Sequence, residues 1–125
     1  MKSFLKENKD PNYWNWKGFN ICWSVKGEKN TYPILFLHGF GASKKHWRKN
    51  LDYFSNKNYA AYSLDLIGFG NSEQPGLRQI GKLNNEVWSN QVKDFILQVI
   101  KPKNSQKVIL IGNSLGALVA LTCAA

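Results

Sequence analysis

Lys107-Val-Ile-Leu-Ile111, Gly112-Asn113-Ser114-Leu115-Gly116 and Ala117-Leu-Val-Ala-Leu-Thr-Cys-Ala-Ala125 follow one another without a break at the end of the chain. The first piece is a short apolar run and reads as a buried strand over 108–111. The last is rich in Ala and Leu and reads as a helix. Between them stands the pattern G-x-S-x-G. A strand that turns sharply into a helix leaves no room for side chains beside the turn, and Gly112 and Gly116 supply that room. Ser114 then stands at the apex, at the N-terminus of a helix, where N–H groups and the helix dipole favour developing negative charge. Residue type and setting together make Ser114 the candidate nucleophile.

The same alternation recurs upstream. Pro33-Ile-Leu-Phe-Leu37 is a continuous apolar run, as expected of a strand buried on both faces. It ends in His38-Gly39-Phe40-Gly41, and Ser43 can cap a helix carrying Trp47, Leu51 and Phe54 that ends near Asn56. A strand over 59–64 leads into a glycine-rich loop over 65–72. Asn84 or Asn85 can cap a longer helix with the stripe Val87, Trp88, Val92, Phe95, Ile96, Val99 and Ile100, stopped by Pro102. Strand–helix alternation of this kind predicts an α/β fold, with a parallel sheet and helices on both faces. Ahead of it, Phe19, Ile21 and Trp23 alternate with polar residues, which predicts one or two antiparallel strands over 14–25. Residues 1–13 read as a loose segment and 14–125 as one folded unit.

His38-Gly39-Phe40-Gly41 and Ser114 both follow buried strands and should share one edge of the sheet, where open α/β sheets bind ligands. Gly39 and Gly41 let the backbone approach a substrate closely. The backbone N–H groups of Phe40 and Leu115 are the candidate oxyanion hole. His38 and His46 are the two histidines. His38 reads as a hydrogen-bonded turn residue and His46 as a surface residue, so neither is expected to serve as the general base. Asp65 reads as a residue that orders its loop. Trp14, Trp16 and Trp23 read as structural.

Composition narrows the classes further. Seventeen Lys and Arg against eight Asp and Glu give a formal charge of +9. The cations are nearly all scattered Lys, with Arg only at Arg48 and Arg78, so nucleic acid is not expected as a partner. A weak attraction to anionic membrane surfaces stays open. Cys22 and Cys123 offer no metal-ligand spacing, and no metal or cofactor is expected. They read as core thiols. The first ten residues contain no apolar core of a secretory signal, and 115–125 is shorter than the roughly 20 residues a bilayer requires. A soluble, cytoplasmic protein is the simplest expectation.

The motif order is Trp14-x-Trp16, then His38-Gly-Phe-Gly-Ala-Ser43 with Trp47 after it. Asp65-Leu-Ile-Gly-Phe-Gly-Asn-Ser72 and Gly112-Asn-Ser-Leu-Gly-Ala117 follow. This closely resembles the α/β-hydrolase fold superfamily, and within it the pheophytinase-like serine hydrolases. The resemblance implies Ser114 as nucleophile and Phe40 and Leu115 as oxyanion donors. It also implies a triad acid and histidine from later strands, a cap domain that sets substrate choice, and a small-molecule substrate that is a hydrophobic ester. Ser at 114 disfavours relatives that use an Asp nucleophile, while cofactor-free haloperoxidases share the serine triad and stay open. The acid, the histidine and the cap are absent from this chain, which therefore reads as the front part of a hydrolase truncated after the serine-bearing helix. On that reading, negligible esterase activity is expected from these 125 residues alone. The competing reading is a non-catalytic half-hydrolase that binds a partner through the strand at 108–111, left as an apolar sheet edge.

Overall fold

The computed structural model describes residues 12–76 and 81–125. Strands β1 (Asn12–Trp16) and β2 (Phe19–Lys26) form an antiparallel hairpin in which Trp16 faces Phe19. Its two-residue turn, Lys17-Gly18, has positive φ at both positions (53° and 90°). That geometry matches the twist of the strands it joins. The aromatic stretch thus forms two strands. The first begins at Asn12, so Asn12 and Tyr13 belong to the sheet rather than to the loose segment expected over 1–13. The remainder of that segment lies outside the described residues.

Strand β3 (Tyr32–Leu37) leads to a 3₁₀ turn (Lys44–Trp47) and helix α1 (Arg48–Ser55). Strand β4 (Tyr59–Leu64) follows, then helix α2 (Asn85–Phe95), which continues as a wider π turn over Ile96–Ile100. Strand β5 (Ile109–Gly112) and helix α3 (Leu115–Ala124) complete the described chain. The helix expected over 43–56 is thus a 3₁₀ turn and an α-helix in series. Ser43 caps the turn by accepting a hydrogen bond from Lys45 N. At α2 the cap is Asn84, whose Oδ1 accepts from Val87 N at 3.0 Å. Asn85 instead donates to Thr122 Oγ1 and ties α2 to α3.

Among the described residues the strand order is β1-β2-β4-β3-β5. The pairs β4–β3 and β3–β5 are parallel, while β2 runs antiparallel to β4. The sheet is therefore mixed, and the expected parallel arrangement holds for its three inner and C-terminal strands. Strand β3 sits centrally, with side chains alternating between two cores. Leu35 and Leu37 join Leu64, Trp88, Val92, Phe95 and Val119 under α2 and α3. Ile34 and Phe36 join Trp47, Leu51 and Ala61 under α1. Each such buried side chain contributes about 1.5–3 kcal/mol, so β3 is the best-anchored element of the sheet. That rigidity matters because one half of the candidate site hangs from its end.

The tryptophans of the hairpin are packing residues. Trp16 is buried with its Nε1 donating to Asp94, and Trp14 and Trp23 each meet Phe95 edge-on. Helix α3 does not place Cys123 in the core as expected. Only Gly116 and Val119 are buried in it, Leu118 and Leu121 are exposed, and Cys123 is half-buried. One side packs on α2, β3 and β5, and among the described residues nothing covers the other. Strand β5 is likewise the edge of the described sheet. Among the described residues no helix is long and apolar enough to cross a membrane.

Candidate active site

Strands β3 and β5 are parallel neighbours in a register that sets Leu37 opposite Gly112. The segments that leave them, 38–41 and 113–116, therefore emerge side by side at one sheet edge. Asn113 N donates to Leu37 O at 3.2 Å and fastens the two ends together. Ser114 has φ 56° and ψ −117°, a backbone region that costs a side-chain-bearing residue about 1–3 kcal/mol. It is held there by the surrounding contacts. A Cβ on Gly112 would run into the Gly116 carbonyl and Ala117 N, and one on Gly116 into the backbone of Leu37 and His38. Gly39 lies directly against the serine: a Cβ there would come within 3.3 Å of Ser114 Cβ.

Two features leave the apex open for chemistry. Ser114 is exposed, and its hydroxyl does not cap α3 as a serine at that position commonly would. The turn carbonyls of Asn113 and Ser114 take up the N–H groups of Gly116 and Ala117, but not that of Leu115. On the other loop, Gly41 has φ 76°, and the exposed Phe40 ring meets Phe69 edge-on at 5.4 Å. The structure thus brings Ser114, Leu115, Gly39, Phe40 and Gly41 to one place. A serine hydroxyl beside backbone N–H groups that have no partner among the described residues suits attack on a carbonyl whose oxygen becomes negative.

The titratable residues lie elsewhere in the network. His38 is fully buried. Its Nε2 accepts from Leu66 N at 3.0 Å, which places the ring proton on Nδ1, 2.8 Å from Gly39 O. His46 is exposed on the 3₁₀ turn, edge-on to Trp47. Asp65 Oδ1 accepts from Lys44 N at 2.6 Å and Oδ2 from Asn71 N at 2.9 Å, so this carboxylate ties the 3₁₀ turn to the loop at 65–72. No hydrogen bond links Ser114 to either histidine or to Asp65 among the described residues.

Burial holds the His38 pKa below the ordinary histidine value, against the upward pull of the hydrogen bond to the Gly39 carbonyl and of the Asp65 charge, with His46 pushing down. The unfolded chain therefore binds the His38 proton first on acidification. The stabilising contribution of neutral His38 is complete above the unfolded value of about 6.5 and is lost as pH falls through the folded one. The urea midpoint is expected to drop between about pH 7.5 and about pH 5. A His38→Asn variant should show a smaller drop.

The loop that carries Phe69 is clamped by two residues of α2 that lie outside every motif. Trp88 Nε1 donates to Ile67 O at 3.0 Å, and Gln91 Oε1 accepts from Ile67 N at 3.1 Å. Ser72 Oγ donates to Asp65 O and accepts from Cys22 N. Gln91 was detectable, because it lies on the same helical stripe as Trp88, Val92 and Phe95, and a polar residue there needs a buried partner.

A family model described as the alpha/beta hydrolase fold matches residues 32–125. The chain belongs to that family. This α/β-hydrolase chain is 34% identical over 103 residues to a Mycoplasma genitalium protein named as an esterase/lipase, covering 82% of the chain and 36% of that relative. It is 31% identical over 107 residues to epoxide hydrolase 3 of Xenopus tropicalis, covering 86% of the chain and 27% of the relative. The thioesterase domain from the curacin biosynthetic pathway superposes with a TM-score of 0.80 at 21% identity, over 92% of the chain and 40% of that structure. At that identity the likeness is one of fold. An inhibitor-bound epoxide hydrolase of Bacillus megaterium gives a TM-score of 0.72 at 30% identity, over 90% of the chain and 37% of the structure. The chain spans about a third of the length of these relatives.

Proposed function

We propose that this α/β-hydrolase chain carries the nucleophile and the oxyanion hole of a serine hydrolase that cleaves a carboxylic ester through an acyl-enzyme. The observation that carries the reading is the backbone of Ser114, held at positive φ on a helix N-terminus directly against Gly39. Ser114 Oγ attacks the ester carbonyl carbon while its proton passes to a base. The carbonyl oxygen, now negative, rests on the N–H groups of Phe40 and Leu115. Losing one such donor typically costs about 10²–10³ in turnover. The carbonyl re-forms as the bond to the alcohol breaks, and the alcohol leaves with the proton. Water adds to the acyl-enzyme by the same route, releasing the acid and restoring Ser114.

His38 has both ring nitrogens engaged and His46 sits on the surface, so neither serves as that base. The histidine and acid of the triad come from outside these 125 residues. A carboxylate nucleophile of the kind that opens epoxides is disfavoured, because position 114 carries a hydroxyl. Exposed Phe40 and its neighbour Phe69 supply an apolar lip, in keeping with a hydrophobic ester; a phytyl ester in particular rests on resemblance to pheophytinase-like enzymes alone. One observation favours a second reading, a partner-binding half-hydrolase: among the described residues β5 is the edge of the sheet, with Ile109 46% exposed.

The test is a fluorophosphonate label applied to a lysate of the cells that make this chain, reading the mass of the species that yields the Ser114 peptide. We expect a labelled species far heavier than 14.3 kDa. An unlabelled species at 14.3 kDa would transfer the argument to the partner-binding reading. A labelled species at that mass would contradict a base supplied from outside.

A further inference from the structure

We propose that His38 is a positioning residue that sets the Gly39–Phe40 peptide plane and so aims the Phe40 N–H at the space beside Ser114. The proposal rests on the oxyanion assignment of Phe40 made above. The C=O of Gly39 and the N–H of Phe40 belong to one planar trans peptide and point in opposite directions. Whatever holds the carbonyl therefore aims the N–H. That peptide is flanked by Gly39 and Gly41, which resist rotation less than any other residue, so its orientation has to be imposed from outside.

Two hydrogen bonds impose it. Gly39 O accepts from Ala42 N at 3.1 Å and from His38 Nδ1 at 2.8 Å. His38 can donate from Nδ1 because Leu66 N occupies Nε2 at 3.0 Å. Leu66 is held in turn: Asp65 N donates to Cys22 O at 2.8 Å, and both backbone groups of Ile67 are bound by Gln91 and Trp88. The Phe69 ring closes over the imidazole edge-on at 5.3 Å. A continuous set of bonds thus runs from the loop at 65–72, through the imidazole, to the peptide that lies against the nucleophile. The charged and titratable groups facing the ring are the Asp65 carboxylate from the end of β4 and His46 from the 3₁₀ turn. Asp65 is committed to Lys44 N and Asn71 N, so it does not compete for the imidazole proton.

Protonating Nε2 would set two N–H groups against each other at Leu66 and release the ring. The test is therefore a pH titration of the ¹⁵N-labelled chain by nuclear magnetic resonance, which involves no turnover. We expect the Nδ1–H tautomer at neutral pH. The Phe40 and Ala42 amide resonances should then move with the same midpoint as the imidazole, while the Leu35 and Val119 amides stay in place. In His38→Ala, exchange of the Ala42 amide should speed up about tenfold, the equivalent of one lost hydrogen bond. In His38→Asn, which retains a side-chain donor, the increase should be smaller. An Nε2–H tautomer, or a Phe40 amide indifferent to the imidazole titration, would overturn the proposal. Should the variants fail to fold, the wild-type titration decides by itself. A Phe40 amide that follows His38, together with a lysate in which no species of any mass yields a labelled Ser114 peptide, would sink the hydrolase reading and leave the positioning role standing.

Discussion

Gly116→Ala is expected to leave the chain unable to reach its native fold, with a stability loss of about 3 kcal/mol or more and the protein in the insoluble fraction. Gly116 lies in the first turn of a helix, and at an ordinary helical position alanine is favoured over glycine by about 1 kcal/mol. Here an added Cβ would sit inside the backbone of Leu37 and His38. Those atoms belong to the end of β3, the central strand, which is hydrogen-bonded to β4 on one side and β5 on the other. Neither can give way without opening the sheet. The natural control is Gly41→Ala, where φ is 76° and a Cβ would meet nothing within 4 Å. That variant incurs only the strain of a left-handed alanine, about 1–2 kcal/mol. Urea midpoints of the two variants, or soluble yield where no transition is seen, separate collision from strain. If Gly116→Ala is as stable as the parent chain, α3 does not pack against β3 as described.

Ser114→Gly is expected to abolish labelling of the heavier species that carries the base, while raising the stability of the fold by about 1 kcal/mol. The serine sits at φ 56° and ψ −117°, which glycine adopts without strain. Against that relief stands glycine's greater freedom in the unfolded chain, which is why the net gain is smaller than the full strain. Ser114→Ala keeps a Cβ and hence the strain, so its urea midpoint should match the parent. Both variants remove the nucleophile, and in an enzyme with its base in place either should lose about 10⁶ in turnover. Equal chemical loss with unequal stability would show that the apex is strained for the sake of the hydroxyl's position. Equal midpoints for the two variants would mean that the elbow stores no such strain.

Much of the fold was legible because it depends on local patterning. The run 33–37 is apolar at every position because both of its faces are covered, and the structure divides those faces between two cores. The helix stops were equally local: Pro102 follows a left-handed Lys101 that ends the π turn. Where the structure differs from the local pattern, the deciding contact is distant. Asn12 and Tyr13 look like tail residues, yet they pair with Trp23 and Cys22 of β2. Helix α3 is apolar on every side, a pattern that predicts burial, whereas its exposed side has no cover among the described residues.

The site divides along the same line. Spacing and residue type alone nominated Ser114, its glycines, and the loop at 38–41, because a tight strand-to-helix turn admits few residues and leaves a signature within five positions. What joins the two loops is the β3–β5 register, and a register between strands more than 70 residues apart has no local signature. The same holds for His38. Its position after a strand marks it as a turn residue, but only the approach of Leu66, 28 positions later, fixes its tautomer and commits its proton to Gly39. Sequence determined which groups are present and which turns they occupy, since both follow from neighbouring side chains. The tertiary structure decided which of those groups meet, because hydrogen bonds and close contacts depend on distances that chain separation does not encode.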